Sequence, residues 1–220
     1  MKKGIVFLVL LIFSGYLFAQ HDPEAKALLD AVSLETKSFE TIKAGFMYTM
    51  TNVEADIEET FEGTAIFKGN KYKLKLNENE VYSDGVTKWV YLADAEEVQI
   101  SNIADQINEG EENILNDPTK ILTIYEEGFK YKYIGEGTFD NVAVEEIDLV
   151  PEDLEKPYFK IKVFVNKGKK QLKAIQYLGK DGSRYVINIK LLETNKSFDD
   201  SFFMFDKSKY PNAFEVDLRE

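Results

Sequence analysis

From Thr41 to Leu192 apolar side chains return at every second position in one short segment after another. The clearest is Lys71-Tyr72-Lys73-Leu74-Lys75-Leu76, with Tyr72, Leu74 and Leu76 on one face and three lysines on the other. A period of two is the signature of a strand with one buried face. Segments of this kind span Ala44–Met50, Ile57–Lys68, Lys71–Leu76, Val81–Tyr82, Trp89–Tyr91, Val98–Ile100, Phe129–Ile134, Val142–Val150, Phe159–Val165, Leu172–Leu178 and Arg184–Leu192. Turn residues divide them: Gly69-Asn70, Asp84-Gly85, Lys167-Gly168 and Asp181-Gly182. About ten antiparallel strands joined by short turns make a strongly bent sheet or barrel in one domain. A further short strand is expected at Phe202–Phe205, with Val216-Asp217-Leu218-Arg219 as an extended tail.

Two segments follow a helical period instead. Asp22-Pro23-Glu24 supplies an N-cap and a proline at the first helical position, and Ala25, Leu28, Leu29 and Val32 then share one face. This helix is expected to reach about Lys37. Asp117-Pro118 repeats the opening, with Ile121, Leu122 and Tyr125 as the apolar face of a shorter helix. An acidic stretch around Asn108 to Asn113 precedes it and reads as a loop.

Residues 1–19 read as an export signal and residues 20–220 as the domain it delivers. Lys2 and Lys3 precede an unbroken apolar run from Ile5 to Phe13, and Ser14 to Ala19 is a short closing region before Gln20. The run is too short for a comfortable membrane span. Export would remove both lysines and leave a soluble, still more acidic chain. No cysteine follows the apolar run, so the mature N-terminus carries no lipid of its own.

Composition excludes several chemistries. With no cysteine there is no disulfide framework, thiolate zinc site or thiol nucleophile. The single histidine, His21, stands beside the expected cleavage point, so neither a histidine-rich metal site nor a Ser-His-Asp triad has material. The adjacent carboxylates Glu58-Glu59, Glu145-Glu146 and Asp199-Asp200 point to opposite faces of a strand and preselect no acid–base pair. Gly135-Glu136-Gly137 lacks the third glycine of a dinucleotide loop and reads as a hairpin turn. A net charge of -12 argues against nucleic acid as a partner. The lysines beside Tyr72 read as an outward face that discourages edge aggregation. No catalytic residue, metal or cofactor is expected. The aromatic side chains that share a strand face are then the notable feature: Phe46, Tyr48, Phe61, Phe67, Tyr72, Trp89, Tyr91, Phe129, Tyr131, Tyr158, Phe164, Tyr177 and Tyr185. They suit either an ordinary core or the lining of a cavity for an apolar ligand.

An ordered series of short motifs narrows the choice. It comprises Ser38-Phe39-Glu40-Thr41-Ile42-Lys43-Ala44-Gly45-Phe46, Glu62-Gly63-Thr64-Ala65-Ile66-Phe67-Lys68, and Ser83-Asp84-Gly85-Val86-Thr87-Lys88-Trp89-Val90-Tyr91. Asp117-Pro118-Thr119-Lys120-Ile121-Leu122, Tyr210-Pro211 and Val216-Asp217-Leu218-Arg219 complete it. Together they resemble the periplasmic lipoprotein carriers of the LolA family, in the form seen in Bacteroidetes, over about Ala25 to Arg219. The resemblance implies an incomplete antiparallel β-barrel of ten to eleven strands, mostly β in class, with a helical lid over a hydrophobic cavity. It implies a monomeric chaperone that takes acylated lipoproteins from an inner-membrane ABC transporter and delivers them to the outer membrane, with an outer-membrane receptor as a further partner. The cavity residues implied by position are Phe46, Tyr48, Phe67, Tyr72, Leu74, Leu76, Trp89 and Tyr91, with Ile121, Leu122 and Tyr125 in the lid. One departure is plain. Many family members carry a basic residue followed by Arg-Pro after the second strand, an arginine tied to lid closure, and here the matching stretch is Lys68-Gly69-Asn70. That departure keeps a second reading open: a module of the same fold that binds a lipid or glycolipid, or senses lipoproteins.

Overall fold

The computed structural model describes residues 22–106 and 128–219, with the side chains of residues 105 and 106 left aside. The export segment, His21, the acidic stretch at 108–113 and the helix carrying Ile121, Leu122 and Tyr125 lie outside the described residues.

Helix α1 (Pro23–Lys37) is followed by strands β1 (Ile42–Asn52), β2 (Ile57–Lys68), β3 (Lys71–Leu76), β4 (Asn79–Ser83), β5 (Thr87–Leu92) and β6 (Glu97–Asn102). A single turn, α2 (Ile103–Gln106), closes this half. The second half holds β7 (Phe129–Phe139), β8 (Val142–Pro151), β9 (Tyr158–Asn166), β10 (Gln171–Gly179) and β11 (Arg184–Thr194). Two 3-10 turns, Asp200–Phe203 and Lys207–Lys209, lead to β12 (Phe214–Asp217). All twelve strands form one open sheet in the order β12-β6-β5-β4-β3-β2-β1-β11-β10-β9-β8-β7. Every neighbouring pair is antiparallel except β12 and β6. The sheet does not close on itself, since β12 and β7 remain its two ends.

The expected helix is confirmed in detail. Asp22 caps it, its carboxylate accepting from the backbone N–H groups of Glu24 at 3.0 Å and Ala25 at 3.3 Å. Ala25, Leu28, Leu29 and Val32 are its buried stripe. They pack on Phe129, Ile147, Leu149, Tyr158, Ile161, Val163, Val165 and Ile175, so α1 lies across the β7–β10 end of the sheet. We call the face that α1 covers the inner face.

Turn chemistry accounts for most hairpins. Gly69, Gly85 and Gly182 have positive φ at the expected turns. Asp140 and Asn141, with φ of 50° and 60°, form the tight β7–β8 turn. The Gly135-Glu136-Gly137 stretch is no hairpin turn. It lies inside β7, where Gly135 takes a φ of 139° at a register shift beside Tyr133. Glycine can serve a bulge as readily as a turn, which is why the sequence reading stopped this strand too early.

The C-terminal region also departs from expectation. Phe202 to Phe205 is no strand, since Asp200–Phe203 is a 3-10 turn with Phe203 fully buried. The expected tail is ordered instead, as β12 on the edge of β6.

Candidate functional site: the inner apolar face

Register fixes which side chains share the inner face. Phe46 on β1 faces Gly63 on β2, and Ala44, Tyr48 and Ile42 face Ala65, Phe61 and Phe67. Gly63, Ala65 and Phe67 in turn pair with Leu76, Leu74 and Tyr72 on β3. These side chains meet in one cluster with Ile187 of β11, and Phe39, Tyr48, Leu76, Val81 and Leu192 pack against it. On the other side of β11 the row continues through Ile175, Val163, Ile147 and Tyr133, paired strand by strand, into the core under α1. The inner face is therefore apolar from β7 across to β4.

Aromatic stacking continues the face along the β1–β2 hairpin. Tyr48 stacks on Phe61 at 6.4 Å and on Tyr185 at 6.3 Å. Burial pushes the Tyr48 hydroxyl up to about 12, with a further push from Tyr185. Tyr48 is therefore a neutral, apolar-bodied wall residue at any physiological pH.

Six of the eight strand residues expected at the cavity come together here: Phe46, Tyr48, Phe67, Tyr72, Leu74 and Leu76. Trp89 and Tyr91 do not join them. They pair with Tyr82 and Glu80, which pair with Lys73 and Lys75, and these lysines alternate with Tyr72 and Leu74. Trp89 and Tyr91 thus project from the outer face. Directly paired residues share a face across every unshifted strand, and only the pairing reveals which face that is. Their neighbours are Val98, Ile100, Phe205, Tyr210 and Ala213. Tyr91 lies 4.3 Å from the Tyr210 ring and 6.1 Å from Phe205. Phe164 is on the outer face too, 4.6 Å from Phe139. Ile121, Leu122 and Tyr125 lie outside the described residues.

The lysines of β3 do not form a solvated edge. Strand β3 is interior to the sheet, and the chain beyond β11 folds over its outer face. Lys68 and Lys71 both reach Asp200, at 2.9 and 2.6 Å, and hold its carboxyl down to about 2. Lys73 lies 3.1 Å from Glu80 and 4.5 Å from the centre of the Tyr82 ring. Glu80 also accepts from Tyr82 and, at 2.9 Å, from Tyr210. Burial alone would raise the Glu80 carboxyl, and the hydrogen bonds from Tyr82, Tyr210 and Lys73 outweigh it, holding the group below the usual range. The sequence reading missed this network. Glu80 and Tyr82 sit two apart in a five-residue strand, and nothing local announces that Tyr210 returns to them.

Among the described residues no group of three or more His, Asp or Glu side chains is placed to hold a metal. The perturbed carboxyls Glu80, Asp140 and Asp200 are each held by lysines or tyrosines and have a structural role. The inner face offers apolar area and aromatic walls, which suit binding of an apolar ligand.

Comparison with known proteins agrees. A family profile described as outer membrane lipoprotein carrier protein LolA matches residues 37–206, most of the chain. The chain belongs to the LolA family. Among solved structures, an uncharacterized conserved protein from Thermus thermophilus shares the fold with a TM-score of 0.59 at 10% identity, covering 90% of this chain and 99% of its own. A LolA superfamily protein from Nitrosomonas europaea matches with a TM-score of 0.43 at 12% identity, over 82% of this chain and 97% of its own. The Mycobacterium tuberculosis lipoprotein LppX matches with a TM-score of 0.48 at 13% identity, over 81% and 98%. No curated protein matches significantly. Proteins of the LolA fold are binders and carriers, not enzymes. No helix among the described residues is long and apolar enough to cross a membrane.

Lys68-Gly69-Asn70 holds no arginine. Lys68 alternates with the inner Phe67 and turns outward, donating to the Phe198 carbonyl at 2.8 Å and to Asp200.

Proposed function

We propose that this protein is an exported, periplasmic carrier that shelters the acyl chains of lipoproteins on its inner face. It takes them from an inner-membrane ABC transporter and surrenders them at the outer membrane, where a receptor is a further partner. It works as a monomer and needs no cofactor. The observation that carries the reading is the continuous apolar inner face from β7 to β4, in a chain of the LolA family.

The energetics suit reversible carriage. Each buried methylene gains about 0.8 kcal/mol. About ten of them give about 8 kcal/mol, or about micromolar affinity before ordering costs. Phe46, Phe67, Tyr72 and Leu74 are themselves buried. An acyl chain must therefore displace contacts these side chains already make, and that competition weakens binding enough for release.

The test is to add the purified protein to spheroplasts that retain newly made lipoproteins. A soluble lipoprotein–carrier complex is the expected result, and its absence would count against the reading. The lack of an arginine in Lys68-Gly69-Asn70 favours one alternative, a module of the same fold that holds a lipid or glycolipid. Native mass spectrometry that finds a retained phospholipid or glycolipid, with no lipoprotein release, would select it.

A further inference from the structure

Strand β2 is twelve residues long, but β3 pairs only with its second half, from Gly63 to Lys68. Over Ile57–Glu62 the inner side of the ladder is filled by β1, and no strand among the described residues occupies the other side. Among the described residues, the Glu62 carbonyl there accepts from the Asn77 N–H at 3.3 Å. Residues 57 to 60 are all exposed, and the adjoining turn carries Val53 at 89% exposure. A strand edge about 20 Å long, with no strand beside it among the described residues, is a template for another strand.

Charge selects what that strand can be. From Ala44 to Phe67 the sequence has no lysine or arginine, yet it carries Glu54, Asp56, Glu58, Glu59 and Glu62. None of the five takes part in an ion pair among the described residues. Other carboxylates differ: Glu136, Glu145, Glu146, Asp148 and Asp200 each hold a lysine. A second copy of the chain is a poor occupant, because two such edges would set glutamate against glutamate. The side-chain alternation is informative as well. Phe61 points to the inner face beside Tyr48, while Glu58, Thr60 and Glu62 point outward.

We propose that the outer edge of Ile57–Glu62 accepts an extended basic polypeptide segment as an added strand, with its lysines or arginines facing Glu58 and Glu62 and apolar side chains beside Phe61. Main-chain hydrogen bonds supply the docking, and the carboxylates supply the choice of partner. The site needs no acyl chain and stands independently of the carrier reading.

The experiment uses fluorescein-labelled ten-residue peptides alternating lysine with valine, and glutamate with valine, titrated against the full chain at low salt. Fluorescence anisotropy should show the lysine peptide binding and the glutamate peptide not binding. Amide exchange should slow at residues 57–62 and not at the β12 edge. E58K/E62K should weaken binding at least tenfold, whereas E152K/E155K, with the same net charge but exposed on another loop, should retain it. If the lysine variant fails to fold by circular dichroism, E58Q/E62Q takes its place, with the same direction expected. Equal loss in both charge variants, exchange protection outside 57–62, or no binding would overturn the proposal. Leu76→Glu on the inner face should leave peptide binding unchanged, and E58K/E62K should leave lipoprotein release from spheroplasts unchanged. The two readings therefore fail separately.

Discussion

The ring of Phe46 on β1 lies directly over Gly63 on β2, its cross-strand neighbour. A β-carbon at Gly63 would stand 2.6 Å from Phe46 Cε2 and 3.0 Å from the Lys75 carbonyl oxygen. The missing side chain at Gly63 is what leaves room for the ring there. Gly63→Val should push the ring off that face. The expected outcome is a loss of about 1–3 kcal/mol in urea unfolding, as for other overpacked cores, with weakened uptake of a fluorescent fatty acid. Unchanged stability and uptake would show that the ring has room to move.

Asp22 ties the helix to the sheet. One carboxylate oxygen caps α1, and the other accepts from the Tyr133 N–H at 3.0 Å on the outer edge of β7. The bond from Tyr133 is the main cause that holds this carboxyl below its usual 3.8. A lowered pKa means the group stabilises the fold above about pH 3.8, and the contribution is lost as pH falls through the folded value. Asp22→Ala should lower the thermal midpoint at pH 7 by several degrees and flatten the acid limb of the stability curve. Amide exchange at Tyr133 should quicken in the variant.

Glu80 anchors the C-terminal chain through Tyr210. Tyr210→Phe should cost about 1 kcal/mol, the worth of one hydrogen bond to a well-held carboxylate. Glu80→Ala should cost about 3 kcal/mol or more, because it strands Lys73. Since the folded Glu80 carboxyl lies below 4.5, its stabilisation is full above that pH and fades below it. Glu80→Gln should therefore be less stable than the parent at pH 7 and converge on it under acid, as read by chemical unfolding at several pH values.

The β7–β8 turn is fastened to the far strands by Asp140. Its carboxylate accepts from Lys190 at 2.7 Å, from Lys173 at 3.2 Å and from Asn188 at 3.3 Å. Lys190 first, then Lys173, hold the carboxyl down to about 2. Lys190→Ala should move the Asp140 titration back toward 3.8, and Lys173→Ala should move it by less. Carbon-detected NMR titration of the Asp140 carboxyl measures both, and no movement in either variant would show that the turn is not held this way.

Much of this was legible in the sequence, for identifiable reasons. The Asp22 cap, the α1 stripe and the glycine turns are local, and local rules find them. The strand period marked the inner residues from Phe46 to Leu76 correctly. Trp89 and Tyr91 were misplaced because period two says which residues share a face within a strand, but not which face of the sheet it is. That parity passes through β4, and only the Tyr82–Trp89 and Lys73–Tyr82 pairings carry it. The C-terminal chain was misread for a related reason. Phe202, Phe203 and Phe205 are spaced like a strand, but they bind the outer face through long-range contacts with Tyr82, Tyr91 and Lys73 that no local pattern encodes.

The central claim is that cargo acyl chains lie on the inner face and nowhere else. Photocrosslinking tests it most directly, with p-benzoylphenylalanine replacing Leu76 on the inner face or Tyr91 on the outer face. Each protein is incubated with spheroplasts and irradiated, and its adducts are identified by mass spectrometry. Adducts to lipoprotein acyl chains from the Leu76 position, with none from the Tyr91 position, are the expected result. Acyl adducts from the Tyr91 position, or none from Leu76 in a folded protein that forms a soluble complex, would contradict it.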